Sequence, residues 1–200
     1  MLNSLMPFAV RLEDVLLFAR SESPPRHNAG ASSTLDAAQM QSFEAFFRRY
    51  ERQITAYLYR MLGNEQTALD FSQETFIRAW QNFERLQEPV AARGWLYRVA
   101  TNLALRHLEQ RKARIMQPLD EWLPGASDPG RRIAERDLVQ RSLLTLTPKQ
   151  RSALMLYEVY GLPCEEIGAI LHLSRDAVKM VLFRGRKQFR QHYLHEESNV

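Results

Sequence analysis

Cysteine is nearly absent from this chain: Cys164 is the only one in 200 residues. A single thiol can close no intramolecular disulfide and complete no cysteine-based zinc cluster. Its scarcity fits a reducing, cytoplasmic setting. Long apolar runs are missing too. No stretch of about 18 uncharged apolar residues occurs, the minimum for a bilayer-spanning helix, so no membrane span is expected. The opening MLNSLMPFAVRLEDVLLFAR is apolar, but it lacks a basic leading segment and is broken by Arg11, Glu13 and Asp14, so it does not read as a secretory signal. There is no alternating strand pattern and no internal repeat. No set of carboxylates or histidines has the spacing of a catalytic or metal site. Asp70 and Glu74 could share a cation, but no third ligand accompanies them. These gaps point away from an enzyme, and no cofactor or metal is expected.

What is present is charge, unevenly distributed. The chain carries 27 Lys and Arg against 23 Asp and Glu, a net charge of +4. Residues 43–114 hold 12 basic and 8 acidic side chains, residues 115–135 hold 2 and 4, and residues 136–200 hold 10 and 7. Two basic blocks therefore flank an acidic connector. Clustered cations draw phosphates, so a polyanion partner is plausible. The competing reading is a pair of helical domains whose many arginines simply face water.

Apolar periodicity gives an all-α chain of two small helical domains. Phe43, Phe46, Phe47, Tyr50, Ile54, Tyr57, Leu58 and Met61 recur at helical spacing and predict a helix from about Asp36 to Leu62. Gly63 suits its end and Asn64 suits the cap of the next helix. That helix, from about Glu65 to Phe83, carries Leu69, Phe76, Trp80 and Phe83 on one stripe. Pro89 and Gly94 punctuate a predicted loop. A third helix then runs to about Arg114, with Leu96, Val99, Leu103 and Leu108 as core candidates. Residues 1–35 read as an extension of no assignable task, with a Ser/Pro/Ala-rich flexible segment at 21–34. Residues 115–132, with Pro118, Pro124, Gly125, Pro129 and Gly130, read as a linker. A second domain over 133–195 follows, with helices near 133–145, 148–160, 164–171 and 175–193.

The last fifty residues are the most specific. Thr147 can cap, Pro148 fits the first helical position and Gln150 completes a capping box. Gly161 ends that helix. Cys164 to Leu171 makes a short helix, and Gly168 leaves room for a close neighbour. His172-Leu173-Ser174 forms a turn, with Ser174 as cap and Asp176 in the first turn of the last helix. There Val178, Leu182, Gly185 and Phe189 should bury, while Arg175, Lys179, Phe183, Arg186, Lys187 and Arg190 lie mostly on other faces. A short helix, a tight turn and a helix with a basic outer face, in this order, fit the major groove of DNA. The alternative is a solvated basic helix in an ordinary bundle.

Two upstream segments add to this. In LDFSQETFIRAW, Asp70 and Glu74 are like charges four apart, an arrangement that costs a helix about 0.2–0.5 kcal/mol. It suits a basic partner surface, or simply a solvated face. In GWLYRVATNLALRHLEQRKAR, Trp95 and Tyr97 lie among Arg93, Arg98, Arg106, Arg111, Lys112 and Arg114. Aromatics among cations suit single-stranded DNA, where bases stack and cations follow the backbone. Trp95 as an ordinary core residue is the competing reading.

Taken together, LDFSQETFIRAW, GWLYRVATNLALRHLEQRKAR and LTPKQRSALMLYEVYGLPCEEIGAIL resemble the extracytoplasmic-function (ECF, group 4) sigma factors of bacterial RNA polymerase, over about Phe43 to Arg190. The resemblance implies a sigma region 2 at 36–114 and a region 4 helix-turn-helix at 133–195. It implies core RNA polymerase as partner, through the β′ clamp helices and the β flap, with promoter DNA and an anti-sigma factor as further partners. Asp70, Gln73, Glu74 and Phe76 would dock on the clamp helices. The loop from Phe83 to Gly94 and the start of the third helix would capture a flipped −10 base, with Phe83, Trp95, Tyr97, Arg98, Asn102, Arg106, Arg111 and Lys112 on −10 DNA. Ser174, Arg175, Asp176, Lys179, Phe183, Arg186 and Lys187 would meet the −35 element. Departures from the family pattern are Thr101 for a common Arg, Arg106 for Asp, His172 for the turn Gly, Ala177 for Thr and Gly185 for Ala. A stand-alone regulator would account for the C-terminal half alone, and a helical nuclease lacks its ligand set.

Overall fold

A computed structural model describes Val15 and residues 32–86, 89–115 and 131–198. Among them every regular element is helical: α1 (Ser32–Leu62), α2 (Glu65–Gln81), a single 3₁₀ turn (Phe83–Arg85), α3 (Pro89–Ile115), α4 (Arg131–Leu144), α5 (Pro148–Leu154), α6 (Cys164–Leu171) and α7 (Arg175–Glu197). The expected all-α class holds. The described chain divides into two compact units. One takes residues 64–100 with α1 up to Tyr59, and the other takes Arg60–Gly63 with the chain from Thr101 onward.

Start and stop signals act where the sequence puts them. Gly63 (φ 70°) and Gly161 (φ 65°) take the left-handed conformation that ends a helix at little cost to glycine. The Asn64 side chain accepts from the Thr67 N–H at 2.9 Å, and the Ser174 hydroxyl from the Ala177 N–H at 3.2 Å. Thr147 and Gln150 form the full capping box: Thr147 Oγ1 accepts from the Gln150 N–H (3.3 Å), and Gln150 Oε1 from the Thr147 N–H (3.0 Å). A cap of this kind stabilises its helix by about 1 kcal/mol.

The first unit is cemented by aromatics. Phe43 meets Trp80 and Phe83 edge-on, with ring centroids at 4.9 and 5.1 Å. Phe47 meets Phe76 at 4.8 Å and Tyr57 meets Tyr97 at 5.4 Å. Each such pair adds about 0.5–1.5 kcal/mol beyond the area it removes from water. Within this apolar packing, Thr55 and Ser72 hydroxyls satisfy one another at 2.8 Å, as buried polar groups must.

Three expectations change. α1 begins at Ser32, so the end of the supposed flexible segment is helical. The loop expected between Phe83 and Gly94 is shorter: α3 starts at Pro89 and Gly94 lies inside it. Proline is preferred at a first helical position, where its missing N–H has no partner to lose, and the following Ala91 and Ala92 carry the helix across the glycine. The buried face of α3 is also rotated. Leu96 is buried, but Val99, Leu103 and Leu108 are only half-buried. Ala92, Tyr97, Ala100, Thr101 and Ala104 are buried instead. Small residues admit a neighbouring backbone, so the tightest face of this helix is not its bulkiest.

In the second unit α7 packs against α4, α5 and α6. Val178, Leu182 and Gly185 are buried there as the pattern predicts, and Phe189 is half-buried, stacked on Tyr193. The helix expected over 148–160 changes pitch partway. From Met155 to Val159 it widens into a π-turn, with the Tyr160 N–H reaching back five residues to the Met155 carbonyl (3.2 Å). Tyr157, Glu158 and Val159 face solvent from this wide turn. The 115–132 linker and most of residues 1–35 lie outside the described residues.

Candidate nucleic-acid interface

The turn between α6 and α7 sets the angle at which α7 leaves the unit. His172 closes α6 in the left-handed conformation (φ 55°, ψ 50°), which most non-glycine residues avoid and His, like Asn and Asp, adopts more readily. The Leu173 N–H then bonds the Gly168 carbonyl at 2.9 Å. A Cβ on Gly168 would stand 2.6 Å from the Leu173 carbonyl oxygen. The close neighbour that Gly168 admits is therefore the turn backbone itself.

The outer face of α7 presents Arg175, Asp176, Lys179, Met180, Phe183, Arg184, Arg186, Lys187 and Arg190, all exposed. Several of its cations are already engaged. Arg175 Nε pairs with Glu165 of α6 at 2.9 Å, Lys179 with Asp176 at 3.2 Å, and Arg186 with Glu158 of the π-turn at 2.6 Å. The Arg186 guanidinium also lies over the Tyr157 ring, 5.3 Å from its centre. Ser174 Oγ accepts the capping N–H, which leaves its own proton for an external acceptor such as a phosphate.

Arg151 behaves differently from these. Its side chain is buried, and it donates to the carbonyls of Leu143 (2.8 Å), Leu144 (2.9 Å) and Leu146 (3.1 Å). They lie in the last turn of α4 and just beyond it, where helical carbonyls run short of N–H partners. Burial pushes its pKa down to about 10, so it remains a cation at neutral pH. The sequence counts Arg151 among the basic residues of this block, but it is a pin and offers nothing to a ligand. It directly follows the capping box, in the first turn of α5.

On α3, Trp95, Arg98, Asn102 and Arg106 follow one another at spacings of three and four and so share one face. Trp95 is half-buried, while Arg98, Asn102, Arg106 and Lys112 are exposed and Arg111 is half-buried. Tyr97 and Phe83 are corrected. Both are buried, Tyr97 against Tyr57 and Phe83 among Phe43 and Phe46, so neither has surface to give a base. They support the face from beneath. Phe76 is corrected in the same way: it is wholly buried against Phe47, because helical phase turns it inward from its polar neighbours.

On α2, Asp70 is exposed, and Gln73 and Glu74 are partly so. The like-charge cost at Asp70 and Glu74 is relieved locally. Gln66 Nε2 donates to Asp70 at 3.0 Å, and Arg78 pairs with Glu74 at 2.7 Å. Among the described residues no three of His, Cys, Asp and Glu converge as a metal site requires. No helix there is long and apolar enough to cross a membrane.

A helix-turn-helix DNA-binding protein is the class these features define. Residues 46–114 match the Sigma-70 region 2 family and residues 136–189 the Sigma-70 region 4 family. The chain is 34% identical over 183 residues to the ECF RNA polymerase sigma factor SigE of Mycolicibacterium smegmatis, covering 88% of this chain and 70% of that protein. It is 31% identical to SigW of Bacillus subtilis, covering 71% of this chain and 83% of SigW. It spans about half of another relative, SigG of Mycobacterium tuberculosis (29% identity, 47% of SigG). The chain belongs to the ECF RNA polymerase sigma factors, a family of transcription initiation. Its fold is shared with the sigma factor RpoE solved with the anti-sigma factor NepR from Bartonella quintana (TM-score 0.64, 17% identity, 76% of this chain and 96% of that one). It is shared as well with CnrH in complex with the cytosolic domain of CnrY (TM-score 0.56, 21% identity, 88% and 93%).

Proposed function

We propose that this protein binds core RNA polymerase and directs initiation at promoters whose −35 element is met by α7 and whose melted −10 element is held by α3. Residues 36–114 act as the docking and melting domain, 115–132 as the connector and 133–195 as the −35 reader. The observation that carries this reading is the pair of cationic helix faces. A capped helix with an exposed basic face suits duplex DNA, and a stripe of Trp95, Arg98, Asn102 and Arg106 suits unpaired DNA. No chemistry is required of the chain. Its work is differential binding: phosphate contacts hold the duplex, and stacking stabilises bases once they leave it.

Asp70, Gln73 and Glu74 form the face toward the polymerase β′ clamp helices, and region 4 meets the β flap. The solved relatives named above were captured with anti-sigma partners, which supports one for this chain too. The test is run-off transcription with core polymerase and a promoter library. Product that requires this chain supports the proposal, and none under any template overturns it. Asp70→Arg should weaken binding to core polymerase about tenfold or more and leave duplex binding unchanged. Equal losses in both assays would remove the docking role from α2.

A further inference from the structure

Two of the largest side chains on the outer face of α7 are apolar. Phe183 is 64% exposed and Met180 is 50% exposed. They sit three residues apart and so share a face. In these turns Val178 and Leu182 are buried and Val181 is half-buried, so the inward stripe is supplied without Met180 and Phe183. Around the exposed pair stand Arg175, Lys179, Arg184 and Lys187, with the Asp176 carboxylate, paired to Lys179, next to Met180. An apolar strip framed by cations matches a surface that is anionic at its edges and locally apolar at its floor. The major groove of DNA is such a surface. Its walls are phosphates, and the one apolar group its base pairs present there is the C5-methyl of thymine.

We infer that Met180 and Phe183 read thymine methyl groups, and that the upstream element of this protein's promoters carries T·A pairs, in either orientation, at two neighbouring positions. This rests on the proposal that α7 enters the major groove. Three residues of α-helix rise about 4.5 Å, close to the spacing of about 3.4 Å between stacked base pairs, so the two side chains face adjacent steps. The cations around them fix register on phosphates without choosing sequence. Arg175 and Lys179, held by Glu165 and Asp176, border the apolar pair on the N-terminal side.

The test uses holoenzyme assembled from the full chain and core RNA polymerase. Duplexes randomised over the upstream element are selected for binding. The winner is then remade with deoxyuridine at each thymine in turn, which deletes one methyl and nothing else. Two adjacent positions should each lose about fourfold in affinity, the worth of burying one methyl group. Met180→Ala should abolish the thymine–deoxyuridine difference at one position and Phe183→Ala at the other. Both variants should retain the helical circular dichroism of the parent, since neither side chain is in the core. Selected duplexes that bind normally but show no such difference anywhere would overturn the inference and leave the −35 reading intact. Variants that lose core polymerase while the difference persists would assign the strip to protein contact and overturn it too. If no upstream sequence is enriched at all, the major-groove reading of α7 falls first and takes the inference with it.

Discussion

Half of the exposed cations on α7 are paired with carboxylates, and three of those on α3 are not. On α7, Arg175, Lys179 and Arg186 each have a carboxylate partner. On α3, among the described residues, Arg98, Arg106 and Lys112 form no ion pair. A phosphate arriving at Arg175, Lys179 or Arg186 must displace a carboxylate, whereas one arriving at Arg98, Arg106 or Lys112 meets no such partner. The frames differ as well. Aromatic rings cement the unit that carries Trp95, while caps, a tight turn and a buried guanidinium hold the one that carries α7. A face half of whose cations are pre-paired gives up affinity for register. A face of unpaired cations beside a partly exposed indole gives up register for grip, which suits a strand whose bases have left the helix.

Removing the pin of the second frame should have the largest effect. Arg151→Leu removes the guanidinium donors from the carbonyls of Leu143, Leu144 and Leu146, of which Leu143 keeps only the Leu146 N–H. Leaving a buried acceptor without its donor costs about 1–3 kcal/mol. Urea unfolding should show it directly, with Arg184→Leu, on the exposed side of α7, staying within about 0.5 kcal/mol of the parent. Similar stability for both variants would mean that Arg151 does not hold α4 to the motif.

Trp95→Ala strikes the other face. If a base stacks on the indole, the loss is about 1–3 kcal/mol, read as a roughly 5- to 150-fold drop in binding of a fork-junction template. That loss should be nearly independent of salt. The double variant Arg98→Ala with Arg106→Ala should instead flatten the salt dependence, by about 0.7 in logarithmic slope for each phosphate contact on a single strand. A salt-dependent loss at Trp95 would place it in the core as a support and leave grip to the cations alone.

The glycines of the second unit separate a required absence from a tolerated one. A Cβ at Gly168 meets a backbone oxygen at 2.6 Å, and a Cβ at Gly185 meets the Gln150 Cβ at an ordinary 3.5 Å. Gly168→Ala should therefore destabilise by about 1–3 kcal/mol through forced backbone movement. Gly185→Ala should stabilise by about 0.5–1 kcal/mol, because it removes a flexible residue from a helix interior. Thermal melts of the two variants check both signs.

Much of this is legible in the amino-acid order alone. Asn64, Thr147, Gln150, Ser174, Gly63 and Gly161 are readable because caps and stops act over three or four residues, a range that sequence encodes directly. α6 and the start of α7 follow from the same signals. What fails is longer in range. Phe76, Phe83 and Tyr97 belong to motifs that mark a surface, yet side-chain phase turns them inward, and only packing against Phe47, Phe43 and Tyr57 reveals it. The rotated face of α3 is hidden because alanines define it, and hydrophobic patterns weight bulk. Nor can the pairing of Arg186 with Glu158 be foreseen, since those residues are 28 positions apart and meet only across a π-turn that no sequence signal announces.

The carboxylates give the finest test of the contrast between the two faces. Glu158 and Glu165 are about half exposed, and exposed ion pairs are worth about 0.2–1 kcal/mol each. Glu158→Gln with Glu165→Gln should therefore cost the fold little. It should also release Arg186 and Arg175 to phosphate without a displacement step. Binding to a duplex should tighten by about two- to fivefold at low salt, and by the same factor on specific and unrelated sequences, because phosphate contacts carry no sequence information. The converse variant, Arg175→Ala with Lys179→Ala, should weaken the duplex complex and lower its salt slope by about 0.9 for each phosphate no longer neutralised. Tightening confined to one sequence would mean that the carboxylates orient Arg175 and Arg186 toward bases, and the contrast with α3 would then be one of reading against holding. Equal tightening everywhere would make the acidic partners a brake on indiscriminate binding, one for which α3, under the proposal that it meets DNA only after the strands part, has no use.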